Sequence, residues 1–408
     1  MSRVSRRGFF RTSGIAAAAA ALAGTAEARG ARGAQAVQGA PGTQAEPPQP
    51  RVRRFKTLGR TGWKVGDISA GSGQRDPSVL NYAFECGINL IDTGAQYAGH
   101  EELLGKVLPK MRDKVFVLGK WDPPLVTATV TKSALLEALD VSLQKLNTTY
   151  VDCMMIHSIG HPRYGGIERI QNPAIYEAWD EAKRLGKVRW TGASSPGVRM
   201  IEEMGWALDN NRFDVILIGA NFLTHGVEPL LKKARAKGVG TVAMKTMTTY
   251  KLDLNIPALQ NEQTNARQAC LKWVLASDLF DTLVVSMQNY DRVAEYLAVS
   301  GTTSLTARDH GYLRTVAAEV SPRYCRPGCR ACHDVCPHAV PVADILRYKM
   351  YFEDYGEEKF AMQRYGLVPS SMRPDRCAGC TAPCEAACPY GIRVRKRLDQ
   401  ADRQLRFV

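Results

Sequence analysis

Residues 133–157, SALLEALDVSLQKLNTTYVDCMMIH, contain one complete structural repeat, an amphipathic helix followed by a short apolar strand. Leu135, Leu139 and Leu143 recur at helical spacing, with charged residues between them. The run that follows them is short and mostly apolar, as expected of a strand that is buried on both faces. The same alternation of strand and helix continues from about residue 52 to 310, so the sequence predicts an α/β fold over this region.

Eight strands of this kind are expected. They lie at residues 65–71, 89–93, 115–120, 150–157, 188–194, 215–221, 240–246 and 282–287. Eight βα repeats over about 250 residues predict a closed (β/α)8 TIM barrel. The alternative is an open doubly wound sheet, which usually carries a glycine-rich dinucleotide loop after its first strand. Gly71 and Gly73 begin such a loop, but Asp76 stands where the third glycine belongs, so the barrel is favoured.

Four polar residues fall at or just after the C-terminal ends of three predicted strands: Asp92, Tyr97, Lys120 and His157. In TIM barrels the catalytic groups lie at this end of the strands. Each residue alone is also explained as a cap, a buried hydroxyl, a surface ammonium or a hydrogen-bonded core histidine. Because all four converge on one barrel mouth, they predict a catalytic site there.

Residues 89–106, NLIDTGAQYAGHEELLGK, resemble the signature of the aldo-keto reductase family, in which an aspartate and a tyrosine precede EELLGK. The resemblance begins with KTLGRTG at 56–62 and extends to about Leu297. It includes GKVR at 186–189 and TGAS at 191–194. It implies a carbonyl–alcohol oxidoreductase whose catalytic tetrad is the four residues named above.

The resemblance implies a role for each of these residues. Tyr97 protonates the alkoxide that forms when a carbonyl accepts a hydride. A free tyrosine has a pKa near 10, and Lys120, held by Asp92, is expected to lower it through its positive charge. His157 orients the carbonyl oxygen. A nicotinamide cofactor supplies the hydride.

The resemblance also places an NADPH site at Ser194, Ser195, Arg292 and Glu295. Ser195 replaces the asparagine that the family uses beside the nicotinamide. Apolar residues on the sixth and seventh strands replace the family's glutamine and tyrosine, and the lysine that contacts the 2′-phosphate is missing. The proton-transfer set is therefore complete while the nicotinamide set is eroded, and the use of NADPH stays open.

Eight of the eleven cysteines lie near the C-terminus, in two groups that each end in Cys-Pro. The groups are Cys325, Cys329, Cys332, Cys336 and Cys377, Cys380, Cys384, Cys388. Their spacing resembles the bacterial ferredoxin pattern C-x2-C-x2-C-x3-C-P, with one extra residue in each group. The other three cysteines are expected to be buried apolar residues of the barrel.

In that pattern the last cysteine of each group serves the other cluster. The scheme assigns Cys325, Cys329, Cys332 and Cys388 to one [4Fe-4S] cluster, and Cys377, Cys380, Cys384 and Cys336 to a second. Disulfides are an alternative, since eight is an even number, and two zinc sites are another. The Cys-Pro endings favour the ferredoxin-like interpretation, and the prediction is a mainly helical domain that holds two clusters.

The N-terminus has the pattern of an export signal. Arg6 and Arg7 precede a short alanine-rich stretch and a small-residue cleavage pattern at 26–28, which resembles a bacterial twin-arginine signal peptide over residues 1–28. Iron–sulfur clusters are assembled inside the cell, and the twin-arginine route carries folded cargo. The sequence therefore predicts passage through the Tat translocase and a periplasmic or otherwise exported protein.

The predicted domains are the signal peptide (1–28), a disordered linker (29–51), the barrel (52–310) and the ferredoxin-like domain (311–408). The formal net charge is +14, but the basic residues are spread out, so we expect no nucleic-acid partner. No apolar run is long enough to suggest an integral membrane span. The expected partners are a small-molecule carbonyl or alcohol and a redox protein. An electron-transfer or ligand-binding protein whose barrel does not use NADPH is the alternative.

Overall fold

The computed structural model describes residues 49–160, 164, 166–197, 199–224, 226–247, 256–259, 261–326 and 328–406. The predicted signal peptide lies outside the described residues, as does most of the predicted linker. Both stay predictions. Within the described ranges no helix has both the length and the apolar character needed to span a bilayer.

A hairpin and a closed barrel form the first part of the structure. The antiparallel strands β1 (Phe55–Thr57) and β2 (Lys64–Gly66) make the hairpin. The barrel strands are β3 (Ile68–Ala70), β4 (Leu90–Asp92), β5 (Phe116–Trp121), β6 (Val151–Ile156), β7 (Val188–Ser195), β8 (Val215–Gly219), β9 (Gly240–Met244) and β10 (Thr282–Val285). All neighbours are parallel, and β10 closes against β3. The predicted TIM barrel is thereby confirmed, and the open sheet is excluded.

The predicted first strand, 65–71, is divided in the structure. Its first two residues belong to β2, and Ile68–Ala70 form β3. Asp67 lies between them and is buried. Its carboxylate accepts hydrogen bonds from Ser300 Oγ at 2.6 Å and from the Gly301 amide at 2.7 Å. This contact joins residues more than 230 positions apart, so no local pattern could reveal it.

Nine helices in the described residues surround the barrel. They are α1 (Pro77–Glu85), α2 (His100–Leu104), α3 (Lys132–Lys145), α4 (Glu168–Gln171), α5 (Pro173–Arg184), α6 (Met200–Asp209), α7 (Glu228–Ala236), α8 (Gln263–Leu275) and α9 (Tyr290–Leu297). Asp76, whose position spoke against a dinucleotide loop, caps α1 by accepting from the Ser78 amide at 2.8 Å.

Residues of the strands alternate between two cores, because successive side chains point to opposite faces. Leu118, Cys153 and Leu217 belong to the apolar cluster that includes the barrel interior. Trp121 belongs to the core between strands and helices, where its ring stacks on that of Trp179 at 5.7 Å. Burial of such apolar surface stabilises the fold by about 25 cal/mol per Å².

The C-terminal region is helical, as predicted. Its helices are α10 (Ala307–Val320), α11 (Val342–Tyr355), α12 (Glu358–Gly366), α13 (Pro383–Ala386) and α14 (Val394–Leu405). Ile345, Tyr365 and Leu398 share a separate apolar core with several cysteines. The proposed boundary at residue 310 falls inside α10, whose Val316 packs in one cluster with Ala269 of α8. The domain limits remain predictions.

Candidate active site

The four residues of the predicted tetrad lie together at the C-terminal ends of three barrel strands. Asp92 ends β4, Lys120 is in β5, and His157 directly follows β6. All three are buried, and Tyr97, in the turn after β4, is partly buried. Gly94 allows this turn to approach β5, because a Cβ atom there would stand only 2.9 Å from the Cβ of Lys120.

Lys120 and Asp92 form an ion pair inside the barrel. Lys120 Nζ donates to Asp92 Oδ1 and also to the carbonyl oxygen of Thr93, at 2.7 Å. Burial lowers the pKa of Lys120, although Asp92 opposes this, and burial raises the pKa of Asp92, although Lys120 opposes that. Two of the ammonium's three hydrogens are thus used within the protein, and its charge is largely neutralised by its partner.

Tyr97 faces His157. The Tyr97 hydroxyl lies 3.4 Å from His157 Nε2, and Lys120 Nζ lies 4.9 Å from the centroid of the Tyr97 ring. Burial raises the pKa of Tyr97 well above its ordinary value, the negative charge of Asp92 and the nearby Tyr351 add to this, and a hydrogen bond with Ser72 opposes it. The expected lowering by Lys120 is therefore not observed, because burial outweighs it and the negative charge of Asp92 acts in the opposite direction. Tyr97 keeps its proton near neutral pH.

His157 is held neutral. Burial lowers its pKa well below the ordinary value, and the positive charges of Lys120, Arg364, Arg169 and Lys245 act in the same direction. Its Nδ1 is buried and has no hydrogen-bond partner among the described residues. A neutral imidazole beside a protonated phenol can hold the oxygen of a carbonyl group through hydrogen bonding.

Helices of the C-terminal domain contribute residues that the sequence reasoning missed. Tyr351 and Arg347 come from α11, and Arg364 comes from α12. Lys245, directly after β9, donates from Nζ to the Tyr351 hydroxyl at 2.8 Å. The cysteine spacing predicts clusters but says nothing of which helix reaches the barrel mouth. This placement is shown by the contact of Lys245 with Tyr351 and by the apolar cluster that unites Leu223, Val316 and Met350, both of which join residues distant in sequence.

The nicotinamide end of the predicted cofactor site is occupied by local contacts. Ser194 Oγ accepts from the Ser158 amide at 3.2 Å. Ser195 Oγ donates to the carbonyl oxygen of Ile159 and accepts from the Gly197 amide at 2.9 Å. These hydroxyls hold β7 to the loop after β6.

Two apolar side chains complete this region, where the family has polar or aromatic ones. Leu217 is packed in the cluster of the barrel interior, and the partly buried Met244 packs against that cluster. The residues present therefore do not fit the usual set of nicotinamide contacts.

The phosphate end of that site is built differently. Arg292 NH1 lies 2.5 Å from Glu295 Oε2, and Arg267 donates to both oxygens of the same carboxylate, at 2.5 and 2.9 Å. Arg267, from α8, was missed by the sequence reasoning. Guanidinium groups bind phosphate through paired hydrogen bonds, so two of them at this position are chemically suited to an anionic group.

The eight C-terminal cysteines line two separate cavities. Cys325, Cys329, Cys332 and Cys388 surround a space of about 290 Å³. Cys336, Cys377, Cys380 and Cys384 surround one of about 340 Å³. The structure thus brings together the same two sets of four that the ferredoxin pattern implied, each drawing one member from the other group. The remaining lining is largely apolar, with Val342 at both cavities.

The state of these thiols bears on the alternatives. All eleven cysteines are free. In the part of the chain that the structure describes, no three His, Cys, Asp or Glu side chains stand close enough to hold a single metal ion. Four thiols around a space larger than one ion are the ligand set that a [4Fe-4S] cluster requires.

Comparison with known proteins agrees with this geometry. The aldo/keto reductase family matches residues 60–255, and a 4Fe-4S dicluster domain matches residues 316–392. An uncharacterized oxidoreductase of Bacillus subtilis is 25% identical over 63% of this chain and 94% of its own. The L-galactose dehydrogenase of Arabidopsis thaliana is 24% identical over 66% of this chain and 94% of its own.

A solved structure shares the fold. A Pseudomonas aeruginosa protein assigned to the aldo-keto reductases superposes with a TM-score of 0.51 at 21% identity, covering 64% of this chain and 99% of that one. The chain thus joins a domain of the aldo/keto reductase family to a 4Fe-4S dicluster domain, and it is an oxidoreductase.

Proposed function

We propose that this oxidoreductase interconverts a carbonyl and an alcohol at the barrel mouth, with electrons passed through two [4Fe-4S] clusters, and that it is exported. The observation that carries the reaction is the approach of the Tyr97 hydroxyl to His157 Nε2, at 3.4 Å, beside the buried pair of Lys120 and Asp92. These are the groups that a carbonyl oxygen needs when it gains charge and then a proton.

The four side chains divide this work. A substrate oxygen placed between Tyr97 and His157 accepts a hydrogen bond from each. Reduction of a carbonyl to an alcohol takes up two electrons and two protons. The oxygen takes the proton of the Tyr97 hydroxyl, a step that contributes about 10²–10⁴ in rate in typical enzymes. The carbon takes the equivalent of a hydride, which would come from two successive one-electron transfers and a proton of water, or from a nicotinamide where one binds. The charge left on Tyr97 then faces Lys120, whose Nζ is 4.9 Å from the ring centroid. Asp92 fixes Lys120 in place for that moment.

The two cysteine sets are the proposed cluster ligands. A bound [4Fe-4S] cluster exchanges one electron at a time. The walls of each cavity are largely apolar, with Leu346 and Ile392 at one and Leu398 at the other, and would leave the buried or partly buried thiols as the ligands facing a cluster. A redox protein is the proposed partner that exchanges electrons with this domain. The proposed exported location rests on the N-terminal pattern of Arg6 and Arg7, the alanine-rich stretch and the small residues at 26–28.

A second candidate function is favoured by the engaged hydroxyls of Ser194 and Ser195. In this version the barrel binds its ligand without NADPH, and the protein acts as an electron-transfer or ligand-binding iron–sulfur protein. The placement of Arg292 and Arg267 at the phosphate end favours NADPH binding instead, because guanidinium groups bind phosphate well.

Two measurements separate these candidates. The first is the titration of the anaerobically purified, cluster-loaded protein with NADPH, followed by cofactor fluorescence. Saturable binding supports a nicotinamide-dependent reductase, and its absence up to millimolar cofactor supports the NADPH-independent barrel. The second compares Tyr97→Phe with the wild type in carbonyl turnover driven by a low-potential one-electron donor. Loss of turnover with unchanged cluster absorption is expected, and unchanged turnover would remove Tyr97 from the proposed reaction.

A further inference from the structure

Lys245 has a backbone conformation that needs an explanation. It directly follows β9, and its φ is +55°, in the left-handed region that non-glycine residues rarely adopt. The side-chain amide of Asn221 donates to the carbonyl oxygen of Lys245 at 3.0 Å and to the hydroxyl of Tyr324 at 3.0 Å. Such strain persists only where the surroundings impose it, and it concentrates at functional sites.

The ammonium of Lys245 has an unusual partner. Its Nζ donates to the hydroxyl of Tyr351 at 2.8 Å and lies 4.9 Å from the centroid of that ring. Among the residues that the structure describes, no carboxylate forms an ion pair with Lys245. Burial lowers the pKa of its ammonium, and the positive charge of Arg347 adds to this. A cation removed from water is ordinarily paired with an anion.

Arg347 brings a second positive charge to the same phenol. It is buried, and together with Lys245 it offsets the effect of burial and holds the pKa of Tyr351 below its ordinary value. The phenol of Tyr351 is thus the shared acceptor of two cations. The Asp344 carboxylate of α11 offsets part of the charge of Arg347. At this corner of the barrel mouth Lys245 itself is balanced by a phenol, which carries less negative charge than a carboxylate does.

This corner borders the proposed reaction site. Lys245 is among the cations that keep His157 neutral, and Tyr351 is among the groups that keep Tyr97 protonated. Lys245 directly follows β9, so it lies at the same end of the barrel as Tyr97 and His157, and a ligand whose carbonyl oxygen is held between those two side chains can extend towards it. One residue of the pair comes from the barrel and the other from the cluster domain, so the corner exists only when both domains are present.

We propose that Lys245, positioned by Tyr351 of the cluster domain, recognises a carboxylate on the substrate, so that the substrate is an oxo acid or the corresponding hydroxy acid. The inference rests on the proposed function for the place of the carbonyl group. Recognition of the carboxylate itself rests on the contacts of Lys245 and Tyr351 alone. A carboxylate that displaces or joins the phenol at Lys245 supplies the missing negative charge.

The test is calorimetric titration of the full-length, cluster-loaded protein with pyruvate and with 2,3-butanedione. The two probes differ in the group next to the ketone carbon, which is a carboxylate in pyruvate and an acetyl group in 2,3-butanedione. We expect the wild type to favour pyruvate by about tenfold or more, the scale of a hydrogen bond to a charged group. Lys245→Met should abolish this preference, Lys245→Arg should keep much of it, and Tyr351→Phe should reduce it.

The control is Lys232→Met, which removes an exposed ammonium whose partner is Glu228 in the same helix, at 2.7 Å. It should leave the preference intact. The proposal is overturned if the wild type binds both probes equally or neither, if Lys245→Met keeps the preference, or if inorganic phosphate binds more tightly than pyruvate. Binding can be measured without turnover, so the two proposals can fail separately. If the protein shows no carbonyl turnover but keeps a carboxylate preference that depends on Lys245, the proposed reaction is refuted and this inference stands.

Discussion

Lys120 donates to Asp92 inside the barrel, where the two residues are only 1% and 5% exposed. Removing two charges from water is costly, and their attraction repays the cost only while both are present. The pKa of Tyr97 is raised and not lowered, chiefly because the phenol is buried and secondly because the negative charge of Asp92 acts on it. The ion pair therefore acts chiefly as a rigid support for Tyr97 until negative charge develops on the phenol.

The first prediction follows from this pairing. Lys120→Met leaves the Asp92 carboxylate buried without its partner, and we expect a loss of about 3–5 kcal/mol in stability. The double variant Lys120→Met with Asp92→Asn should recover much of this loss, because no isolated charge remains. The measurement is thermal unfolding of anaerobic protein followed by circular dichroism. A double variant as unstable as the single one would show that packing, and not charge, holds this site together.

The second prediction concerns the division of the cysteines. Cys325 and Cys388 line one cavity, whereas Cys336 lines the other. The double variant Cys325→Ala with Cys388→Ala should lose one cluster and about half of the iron. The double variant Cys325→Ala with Cys336→Ala removes one ligand from each cavity, so this protein should lose nearly all of its iron. Iron content and the electron paramagnetic resonance of the reduced protein are the readouts.

A matched control tests whether the loss of any cysteine, even one outside both cavities, lowers the iron content. Cys270→Ala removes a buried thiol of α8 that lies in neither cavity, and it should leave the iron content unchanged. If the two double variants lose equal amounts of iron, the division into these two sets is wrong.

Much of this architecture is encoded locally, and the remainder is not. The tetrad was predictable because Asp92, Lys120 and His157 follow apolar strands, and the barrel closure brings strand ends together. The two cysteine sets followed from the resemblance of the spacing to the ferredoxin pattern, in which the last cysteine of each group serves the other cluster. The contact of Lys245 with Tyr351 joins positions 106 residues apart and depends on how α11 packs on the barrel. No periodicity or motif carries that information, because many apolar residues can form such a contact and the sequence does not show which surfaces of the two domains meet.

The electrostatics were the least predictable part. The sign of the effect on Tyr97 depends on the balance between burial, Asp92 and Lys120, and sequence alone gives the residues without the distances. The same holds for Ser194 and Ser195, whose resemblance to cofactor contacts gave no sign that their hydroxyls bind the loop after β6.

The last prediction concerns His100, the first residue of α2, which is buried next to the active site. Its Nδ1 lies 2.9 Å from Thr93 Oγ1, and its Nε2 lies 3.2 Å from Gln74 Oε1. Burial lowers the pKa of His100 to about 4, and the positive charges of Lys120 and Arg75 contribute. The folded protein therefore holds this imidazole neutral.

The unfolded chain binds a proton at His100 below its ordinary pKa of about 6.5, whereas the folded protein does so only near pH 4. Stability must therefore fall as the pH drops from 6.5 towards 4, by about 1.4 kcal/mol at pH 5.5 from this residue. His157 acts with the same sign. His100→Gln can keep a donor and an acceptor but has no proton to gain, so its Tm should fall less than that of the wild type between pH 7.5 and 5.5. His310→Gln, on the exposed surface of α10, should follow the wild type. Parallel Tm curves for wild type and His100→Gln would contradict a neutral, buried imidazole at this position.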